Sequence, residues 1–361
     1  GVACAGIGVV SGTLAGWLAW VPGLPTLGIA WVARSLADVP GGSLPWPKAA
    51  AGAWLLALLT VVAVFLGRSL LRLAWSRPVV AVGTCLALIA LLVPTKVVTW
   101  PAANWRVVIC DVGQGDGIVV RSGPTAAVVV DVGPDPNLID GCLDRLGVRT
   151  IDAVVLTHFH ADHVDGITGI TRGRTVHALI TTNVRDPPAQ VKAVDRWAAE
   201  QGLSAQQVQP GEVLRFGEAT ATVWAPVRRI DTGSVPNNAS IVLAVETGGA
   251  RALLMGDVER EAGAAVMGEV RGIAQFAQQS RSFDLVKTPH HGSANLDPDL
   301  MSAVRAPVAV ISVGADNDYG HPAPSHLSLL HRLGYAVYRT DQVGDVALVE
   351  TPEGAAVATR G

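Results

Sequence analysis

One short segment of the sequence contains four side chains of the kinds that bind metal ions, namely His158, His160, Asp162 and His163. They follow the apolar run 153–157, which predicts a buried strand that ends in a fixed loop. Imidazole and carboxylate groups suit zinc and similar divalent ions when a rigid loop makes the donor atoms converge. The first two histidines are two residues apart and point to one side of an extended turn, whereas Asp162 and His163 face another position. This spacing predicts a site for two ions side by side.

The pattern around this segment is typical of one mixed α/β domain over residues 104–361. Short apolar runs, each stopped by Gly, Asp or Pro, alternate with helical segments. We expect three strands within 106–133, with turns at 113–117 and 122–124. Further strands are predicted at 153–157, 178–182, 221–225, 240–246, 252–255, 285–287, 308–312, 336–339 and 346–350, and helices at 138–146, 189–201, 258–267, 297–303 and 325–333.

The composition is too apolar for an ordinary soluble protein. Of the 361 residues, 50% are hydrophobic and only 16% are charged, against about 25% charged residues in typical soluble domains. The deficit lies in residues 1–100, which hold six basic residues and one acidic residue, so that residues 101–361 carry 21 basic and 29 acidic ones. These numbers exclude a disordered chain, a collagen and a small disulfide scaffold.

Residues 1–100 are predicted to be a membrane region with about three transmembrane helices. Residues 1–33 contain no charge, although two prolines interrupt them, and 49–67 and 78–95 are uncharged runs of 19 and 18 residues. A span needs about 20 apolar residues, and such runs in succession favour membrane helices over the alternative of buried core helices. Because the chain begins with Gly1 rather than Met, we expect a fragment whose upstream channel helices are missing.

The basic residues predict the orientation of this region. Arg68, Arg72 and Arg77 lie together between the second and third runs, which puts that connection in the cytoplasm. The domain that follows is then extracytoplasmic, on a multi-pass protein of the cell membrane. A disulfide between Cys110 and Cys142 is compatible with that location, but the sequence leaves it undecided.

Seven segments of the domain occur in a characteristic order: DVGQGD at 111–116, DVG at 131–133, the histidine segment at 157–166, NNAS at 237–240, LMGD at 254–257, KTPHHGS at 287–293 and YGHP at 319–322. Together they resemble the C-terminal domain of the ComEC-type DNA-uptake channel proteins of competence, within the metallo-β-lactamase superfamily. The resemblance implies a metallo-β-lactamase-like αβ/βα four-layer sandwich, preceded by the last transmembrane helices of a competence-type channel domain.

The resemblance also implies a set of metal ligands. His158 and His160 would hold one ion, and Asp162 and His163 the other. Asp257 would bridge both ions. The doublet His290-His291 supplies one more imidazole to the second ion, and we favour His290 over His291 because it directly follows a strand and Pro289.

One segment departs from many hydrolases of this superfamily, which offer a further histidine where this chain has Asn237, Asn238 and Ser240. Asparagine is a poor zinc ligand, so the first site is expected to be completed by water or substrate and to accept an oxygen-preferring ion such as Mn²⁺. The alternative is that these residues only cap and turn into the next strand. The implied cofactors are two divalent ions, Zn²⁺ or Mn²⁺.

Further residues have two open interpretations each. Asp131 either orients a metal-ligating histidine or ends a strand, and Asp116 lies in a glycine-rich loop that either faces the site or only turns. Lys287 and His321 either contact a phosphate or are a solvated lysine and a loop histidine. We assign the catalytic roles to Asp162, Asp257 and Lys287.

Two ions that share a water suit the hydrolysis of phosphodiesters. The leading hypothesis is therefore an extracytoplasmic nuclease domain attached to a DNA channel, which degrades the strand that is not taken up. The expected partners are single-stranded DNA, the membrane, and a competence pilus or DNA receptor. The acidic domain carries few groups for non-specific DNA binding, which leaves two alternatives: a membrane-tethered hydrolase of another small ester or phosphodiester, and a non-catalytic gating module of the transporter.

Overall fold

The computed structural model describes residues 100–272, 283–304 and 306–360, together with 11–13, 16, 52–58, 60, 76 and 77. The chain divides into two compact units, Gly1–Val98 and Thr99–Gly361. In the first unit, residues 52–58 are helical, and the remainder of the predicted spans 1–33, 49–67 and 78–95 lies almost entirely outside the described residues. Among the residues described, no helix combines the length and the apolar character that crossing a membrane requires.

The first sheet of the second unit has the strand order β16-β15-β1-β2-β3-β4-β6-β7, with β5 beside β4. Its strands are β1 (Trp105–Ile109), β2 (Gly117–Arg121), β3 (Ala126–Val132), β4 (Thr150–Leu156), β5 (Thr175–Val176), β6 (Leu179–Thr181), β7 (Ala205–Gln207), β15 (Val346–Thr351) and β16 (Gly354–Thr359). The pairs from β16 to β3 are antiparallel, whereas β3, β4, β6 and β7 run parallel to one another.

The second sheet has the order β14-β13-β12-β11-β10-β9-β8. Its strands are β8 (Val213–Phe216), β9 (Ala219–Ala225), β10 (Val242–Thr247), β11 (Ala250–Leu254), β12 (Leu285–Lys287), β13 (Val308–Ile311) and β14 (Ala336–Arg339). The four strands from β11 to β14 are parallel, and the others pair antiparallel.

Helices cover the outer face of each sheet. Among the described residues of this unit, the α-helices are α1 (Pro136–Arg145), α2 (Ala161–Val164), α3 (Pro188–Glu200), α4 (Val235–Asn238), α5 (Arg260–Gly272), α6 (Pro298–Ala303), α7 (Pro324–Arg332) and α8 (Thr340–Val343). Two 3₁₀ turns lie at Asp165–Gly169 and Pro289–Gly292. One apolar core packs α1 and α3 on the first sheet, and another packs α5, α6 and α7 on the second.

A third apolar core lies between the two sheets and makes the unit a four-layer sandwich. Strand β1 shows how the sequence produces it: Val107 and Ile109 contribute to the core between the sheets, whereas Trp105 and Val108 contribute to the core under the helices. Successive side chains of a strand point to opposite faces, so a strand buried on both faces reads as a continuous apolar run. The predicted αβ/βα sandwich is confirmed.

A disulfide joins Cys110, directly after β1, to Cys142 in α1. The two Cα atoms are 6.1 Å apart and 32 positions separate the residues in sequence. Both cysteines are fully buried. The bond therefore attaches α1 covalently to the first sheet, next to the loop 111–116.

Candidate metal centre

The histidine and aspartate side chains singled out in the sequence gather where parallel strands of both sheets end. The loop 157–163 follows β4, and Asp131 lies at the end of the neighbouring β3. In the second sheet, Asp257 follows β11 and the histidine doublet follows β12, which run parallel to each other. The carboxyl ends of parallel strands share one edge of a sheet, and ligands commonly bind in the crevice at that edge.

Four of these side chains form a compact cluster in which the donor atoms of Asp162, His163, Asp257 and His291 lie within 4.8 Å of one another. The Nε2 atoms of His163 and His291 are 3.3 Å apart. Asp257 places Oδ1 3.3 Å from His163 Nε2 and Oδ2 3.4 Å from His291 Nε2. Asp162 Oδ2 lies 3.2 Å from His291 Nε2. Two imidazoles and two carboxylates thus converge on one point.

Hydrogen bonds on the far side of each ring fix this arrangement. His163 Nδ1 contacts Asp131 Oδ2 at 2.8 Å, and His291 Nδ1 donates to the carbonyl of Ser312 at 2.9 Å. A carbonyl can only accept, so the proton of a neutral His291 is on Nδ1 and the Nε2 lone pair faces the cluster. Histidines that bind metal are typically oriented by such a partner on the other nitrogen.

Asp131 organises the base of the site. Its carboxylate accepts hydrogen bonds from the backbone N–H and the hydroxyl of Thr157, both at 2.7 Å, in addition to its contact with His163. Its backbone φ is +55°, in the left-handed region that non-glycine residues seldom occupy. Of the two interpretations, the geometry favours the one in which Asp131 orients a histidine.

His158 and His160 form a second donor pair beside the cluster. His158 Nε2 and His160 Nδ1 face each other at 3.1 Å. On its other side, His158 Nδ1 lies 3.2 Å from Thr157 Oγ1 and 3.4 Å from Ser240 Oγ. The His158 ring centroid is 4.1 Å from that of His163, so the two groups of donors adjoin.

The structure places His291, rather than the favoured His290, in the cluster. The doublet has positive φ values of 48° and 50°, so the backbone turns sharply and sends the two rings in different directions. His290 Nε2 is 3.8 Å from Asp257 Oδ2, and the side chain is 23% exposed against 1% for His291. The turn therefore carries the second histidine of the doublet inward, and which of the two binds a metal ion stays a prediction.

The segment 237–240 contains residues with different environments. Asn238 Oδ1 accepts from the N–H groups of Glu259 and Ala262 at the start of α5, which is a capping role. Ser240 Oγ accepts from the N–H of Asp257. Asn237 lines the cavity described below, and its Oδ1 is buried without a hydrogen-bond partner among the described residues. Asn237 is thus the member of this segment best placed to face a ligand.

Lys287 and Asp116 form a fully buried ion pair behind the cluster. Lys287 Nζ also donates to the carbonyl of Gly256 at 3.0 Å and lies 3.9 Å from Asp257 Oδ1. Lys287 pairs with Asp116 Oδ2, and the other carboxylate oxygen of Asp116, Oδ1, is 3.4 Å from His291 Nδ1. Since Lys287 is 0% exposed, its position suits charge balance and support of the carboxylates rather than contact with a substrate phosphate.

Burial and charge shift the pKa values of the cluster in opposite directions. Burial lowers the pKa of His163, but Asp257, Asp131 and Asp162 outweigh it and hold this pKa well above its usual value. Burial would raise the pKa of Asp257, yet His291 and His163 hold it well below its usual value. The pKa of His158 is well below its usual value because of burial and the nearby His163. The carboxylates therefore stabilise positive charge between them.

An open cavity of about 600 Å³ leads from the surface to these residues. Asp162, Asp257 and His291 form part of its floor, and the remaining lining includes Gln114, Gln190, Asn237, His290, Tyr319 and His321. Burial, with His290 and His291 nearby, lowers the pKa of His321 to about 4, so this side chain is neutral near pH 7. The buried Lys287, Asp116 and Asp131 are not among the residues that line this cavity.

The residues present fit a divalent cation. Asp257 Oδ1 is buried and receives no hydrogen bond from any described residue, although His163 Nε2 is 3.3 Å away and His291 Nε2 lies 3.4 Å from the other oxygen of the same carboxylate. Nitrogen and carboxylate donors in this mixture are those that zinc and related ions prefer. Two groups that support the cluster were not predicted from the sequence. No sequence pattern points to the Ser312 carbonyl, which binds His291. Thr157, which binds Asp131, could have been singled out because it directly precedes the histidine segment.

The fold and the cluster define a class of protein: the chain belongs to the metallo-beta-lactamase superfamily, whose family model matches residues 110–314, more than half of the chain. Among curated proteins, the chain is similar to ComE operon protein 3 of Bacillus subtilis, with 28% identity over 312 residues, 81% of this chain and 38% of the relative. It is also similar to competence protein ComA of Neisseria gonorrhoeae, with 25% identity over 255 residues, 68% of this chain and 32% of the relative. The predicted resemblance to competence proteins is confirmed, and the chain spans about a third of the length of these relatives.

Among solved structures, the metallo-beta-lactamase fold protein YhfI from Bacillus subtilis is similar at 12% identity with a TM-score of 0.42. The match covers 64% of this chain and 95% of YhfI.

Proposed function

We propose that this chain is part of a DNA-uptake machine and that its metal-dependent domain hydrolyses phosphodiester bonds of DNA outside the cytoplasm, degrading the strand that is not transported. The observation that carries the proposal is the convergence of Asp162, His163, Asp257 and His291 on one point, with all of them except His163 lining an open cavity. The similarity to two competence proteins supports the process, and the superfamily supports metal-dependent hydrolysis.

In this proposal the protein holds two divalent ions, Zn²⁺ or Mn²⁺. The cluster of four side chains would hold one ion, and His158 with His160 would hold the other, with Asp257 between them. When bound, such ions lower the pKa of a water and stabilise charge on the oxygens of an in-line displacement. This second donor pair adjoins the hydroxyl of Ser240, and Asn237 lines the same cavity as His160, which favours an oxygen-preferring ion there.

The chain's own side chains would divide the remaining work. Asp162 is 28% exposed and lies at the boundary between cluster and cavity, so its carboxylate is placed to accept a proton from the attacking water. Asp257 is 2% exposed and holds the histidines in place. Lys287, from behind, compensates the negative charge of Asp116 and Asp257.

The disulfide supports an extracytoplasmic location, because such bonds persist in oxidising compartments and are rare in the cytosol. The membrane attachment through residues 1–100 and a pilus or receptor partner that delivers the strand are part of the same proposal. Delivery of the DNA strand by such a partner would compensate for the weak non-specific DNA affinity of a domain with few basic groups.

The direct test is hydrolysis of a fluorescent single-stranded oligonucleotide by the purified chain loaded with Mn²⁺ or Zn²⁺. We expect cleavage, its loss in the Asp162→Ala variant, and its retention in Asp165→Ala, which removes an exposed carboxylate three positions along. A folded, metal-loaded chain that cleaves no DNA with either ion would contradict the proposal. Metal binding without any hydrolysis would instead favour a gating module, and cleavage of small esters alone would favour another hydrolase.

A further inference from the structure

An exposed tyrosine stands at the edge of the cavity. Tyr319 is 72% exposed, and it is the one aromatic residue among the large apolar side chains that are exposed in the described part of the second unit. It lines the same cavity as Asp162 and Asp257. Leaving a large aromatic surface in water costs free energy, so an exposed ring beside a binding cavity marks a contact surface.

The loop that carries Tyr319 is held in shape by its own hydrogen bonds. Asn317 Nδ2 donates to the carbonyls of Gly314 and His321 at 2.8 and 3.0 Å. Asn317 Oδ1 accepts from the N–H of His321 at 3.0 Å. The side chain of Asn317 therefore hydrogen-bonds to both ends of the loop, so that Tyr319 lies on a preformed turn.

Tyr319 is the outermost of three nearly parallel rings. Its ring and that of His321 are inclined by 26° with centroids 5.9 Å apart. The His321 ring is in turn inclined by 29° to that of His291, with centroids 6.5 Å apart. This series of rings leads from the metal cluster to the solvent, and its outer member has a free surface.

We infer that Tyr319, supported by His321, is a stacking platform for an unpaired base of the DNA strand that the site cleaves. The inference rests on the proposed function and names how the substrate is recognised. Because His321 separates the platform from the cluster, the stacked base belongs to a nucleotide that flanks the phosphodiester under attack. A base in a duplex already stacks on its neighbours, so the platform selects single strands.

Stacking also explains how an acidic domain can hold a polyanion. Residues 101–361 carry 29 acidic and 21 basic residues, and affinity from counterion release needs lysine and arginine at the backbone. Base stacking on an aromatic ring is sequence-tolerant and adds affinity without a positive side chain. An ester or lactone substrate without a base would gain nothing from this ring.

The test is the affinity of the metal-loaded chain for a fluorescent oligothymidylate with phosphorothioate linkages, which slow its hydrolysis, compared with an abasic oligomer of equal length. We expect Tyr319→Ala to weaken binding of the oligothymidylate by roughly 5- to 150-fold, the range for loss of one stacked base. Binding of the abasic oligomer should not change, and the salt dependence of both should stay the same. Tyr319→Phe should bind like the unaltered chain, as should Leu333→Ala, which removes another exposed apolar side chain.

Equal affinity of Tyr319→Ala and the unaltered chain for the oligothymidylate would overturn the platform, as would an equal loss for the abasic oligomer. Failure of the proposed nuclease function would give a different experimental result from failure of the platform. If the chain binds the strand in a Tyr319-dependent way but never cleaves a natural oligonucleotide, the platform stands and the nuclease does not. If natural DNA is cleaved and Tyr319→Ala changes neither binding nor KM, the nuclease stands and the platform does not.

Discussion

Asp131 and His163 are joined by a buried contact of 2.8 Å between Oδ2 and Nδ1, although 32 positions separate them in sequence. This contact aims His163 Nε2 at the point where the other donors of the cluster meet. The carboxylate comes from the end of β3 and the imidazole from the segment after β4, so the pairing of two strands sets the direction of one imidazole in the candidate metal centre.

Asp131→Asn is expected to weaken metal binding while the donors themselves remain. The amide keeps one acceptor for Thr157, but it is a weaker partner for the imidazole and no longer carries the charge that supports it. Loss of such a supporting group typically costs about 10- to 100-fold in metal affinity. Competition with a fluorescent zinc chelator measures the change, and Asp152→Asn, a partly buried carboxylate on the same sheet, is the control. Unchanged affinity would rule out this role for Asp131.

The two histidines of the doublet are expected to differ. His291→Ala removes a donor from the cluster and should reduce the metal content of the purified chain, as measured by elemental analysis. His290→Ala removes a side chain on the cavity wall and should leave the metal content close to that of the unaltered chain. The opposite ranking would show that His290 turns inward when the ion is bound.

Loss of one partner of the Lys287–Asp116 pair is expected to lower the stability of the domain strongly. Lys287→Met leaves a buried carboxylate without compensation, which typically costs about 3–5 kcal/mol in the free energy of unfolding. Arg229→Met, which breaks the exposed pair with Asp231, should cost less than about 1 kcal/mol. Denaturant unfolding of the metal-free chain measures both, and equal small effects would show that Lys287 is not needed for charge balance.

The Cys110–Cys142 disulfide is expected to stabilise the domain measurably. It closes a loop across 32 positions, and the chain-entropy relation gives about 3–4 kcal/mol for a loop of that size. The Cys110→Ser/Cys142→Ser variant should therefore unfold at lower denaturant concentration than the oxidised chain. A reductant should lower the denaturant midpoint of the unaltered chain towards that of the variant and leave the midpoint of the variant unchanged. If the reductant does not change the midpoint of the unaltered chain, the disulfide is not formed.

His326 on α7 is expected to make stability depend on pH. Burial, with Lys287 nearby, holds the pKa of this fully buried histidine below its usual value. The unfolded chain then binds the proton more readily, so the free energy of unfolding falls as the pH drops below about 6.5. His326→Asn should make this decline shallower, whereas His331→Asn, an exposed position of the same helix, should not. Contributions of the metal cluster are common to all three chains and cancel in the comparison.

The sequence predicted most of the fold because strands buried on both faces are continuous apolar runs. Every predicted strand from 153–157 onward has its counterpart, including β12, which coincides with the predicted 285–287. The strands that were not predicted are the two-residue β5 beside β4 and the edge strands β7, β8 and β16, whose side chains are exposed or half-buried. Strands β7, β8 and β16 lie at the sheet edges, where pairing with a neighbour, rather than burial of an apolar face, defines the strand.

The site was predictable in its composition and less so in its geometry. The sequence singled out the histidine segment by its spacing and Asp257 by its resemblance to a known family. It could not show which histidine of the doublet turns inward, since that depends on two left-handed backbone conformations. It also could not show that Lys287 is enclosed, because a lysine at the end of a strand is equally compatible with solvent.

Strand β1 pairs on one side with β2 and on the other with β15, which is made from residues 346–351. A growing polypeptide produces β1 long before this second partner exists, so one edge of the early strands stays open while most of the domain is synthesised. Contacts between such distant parts of a chain form slowly, and open strand edges attract other chains. The edge of the first sheet beside β1 is therefore completed only after residues 346–351 have been synthesised.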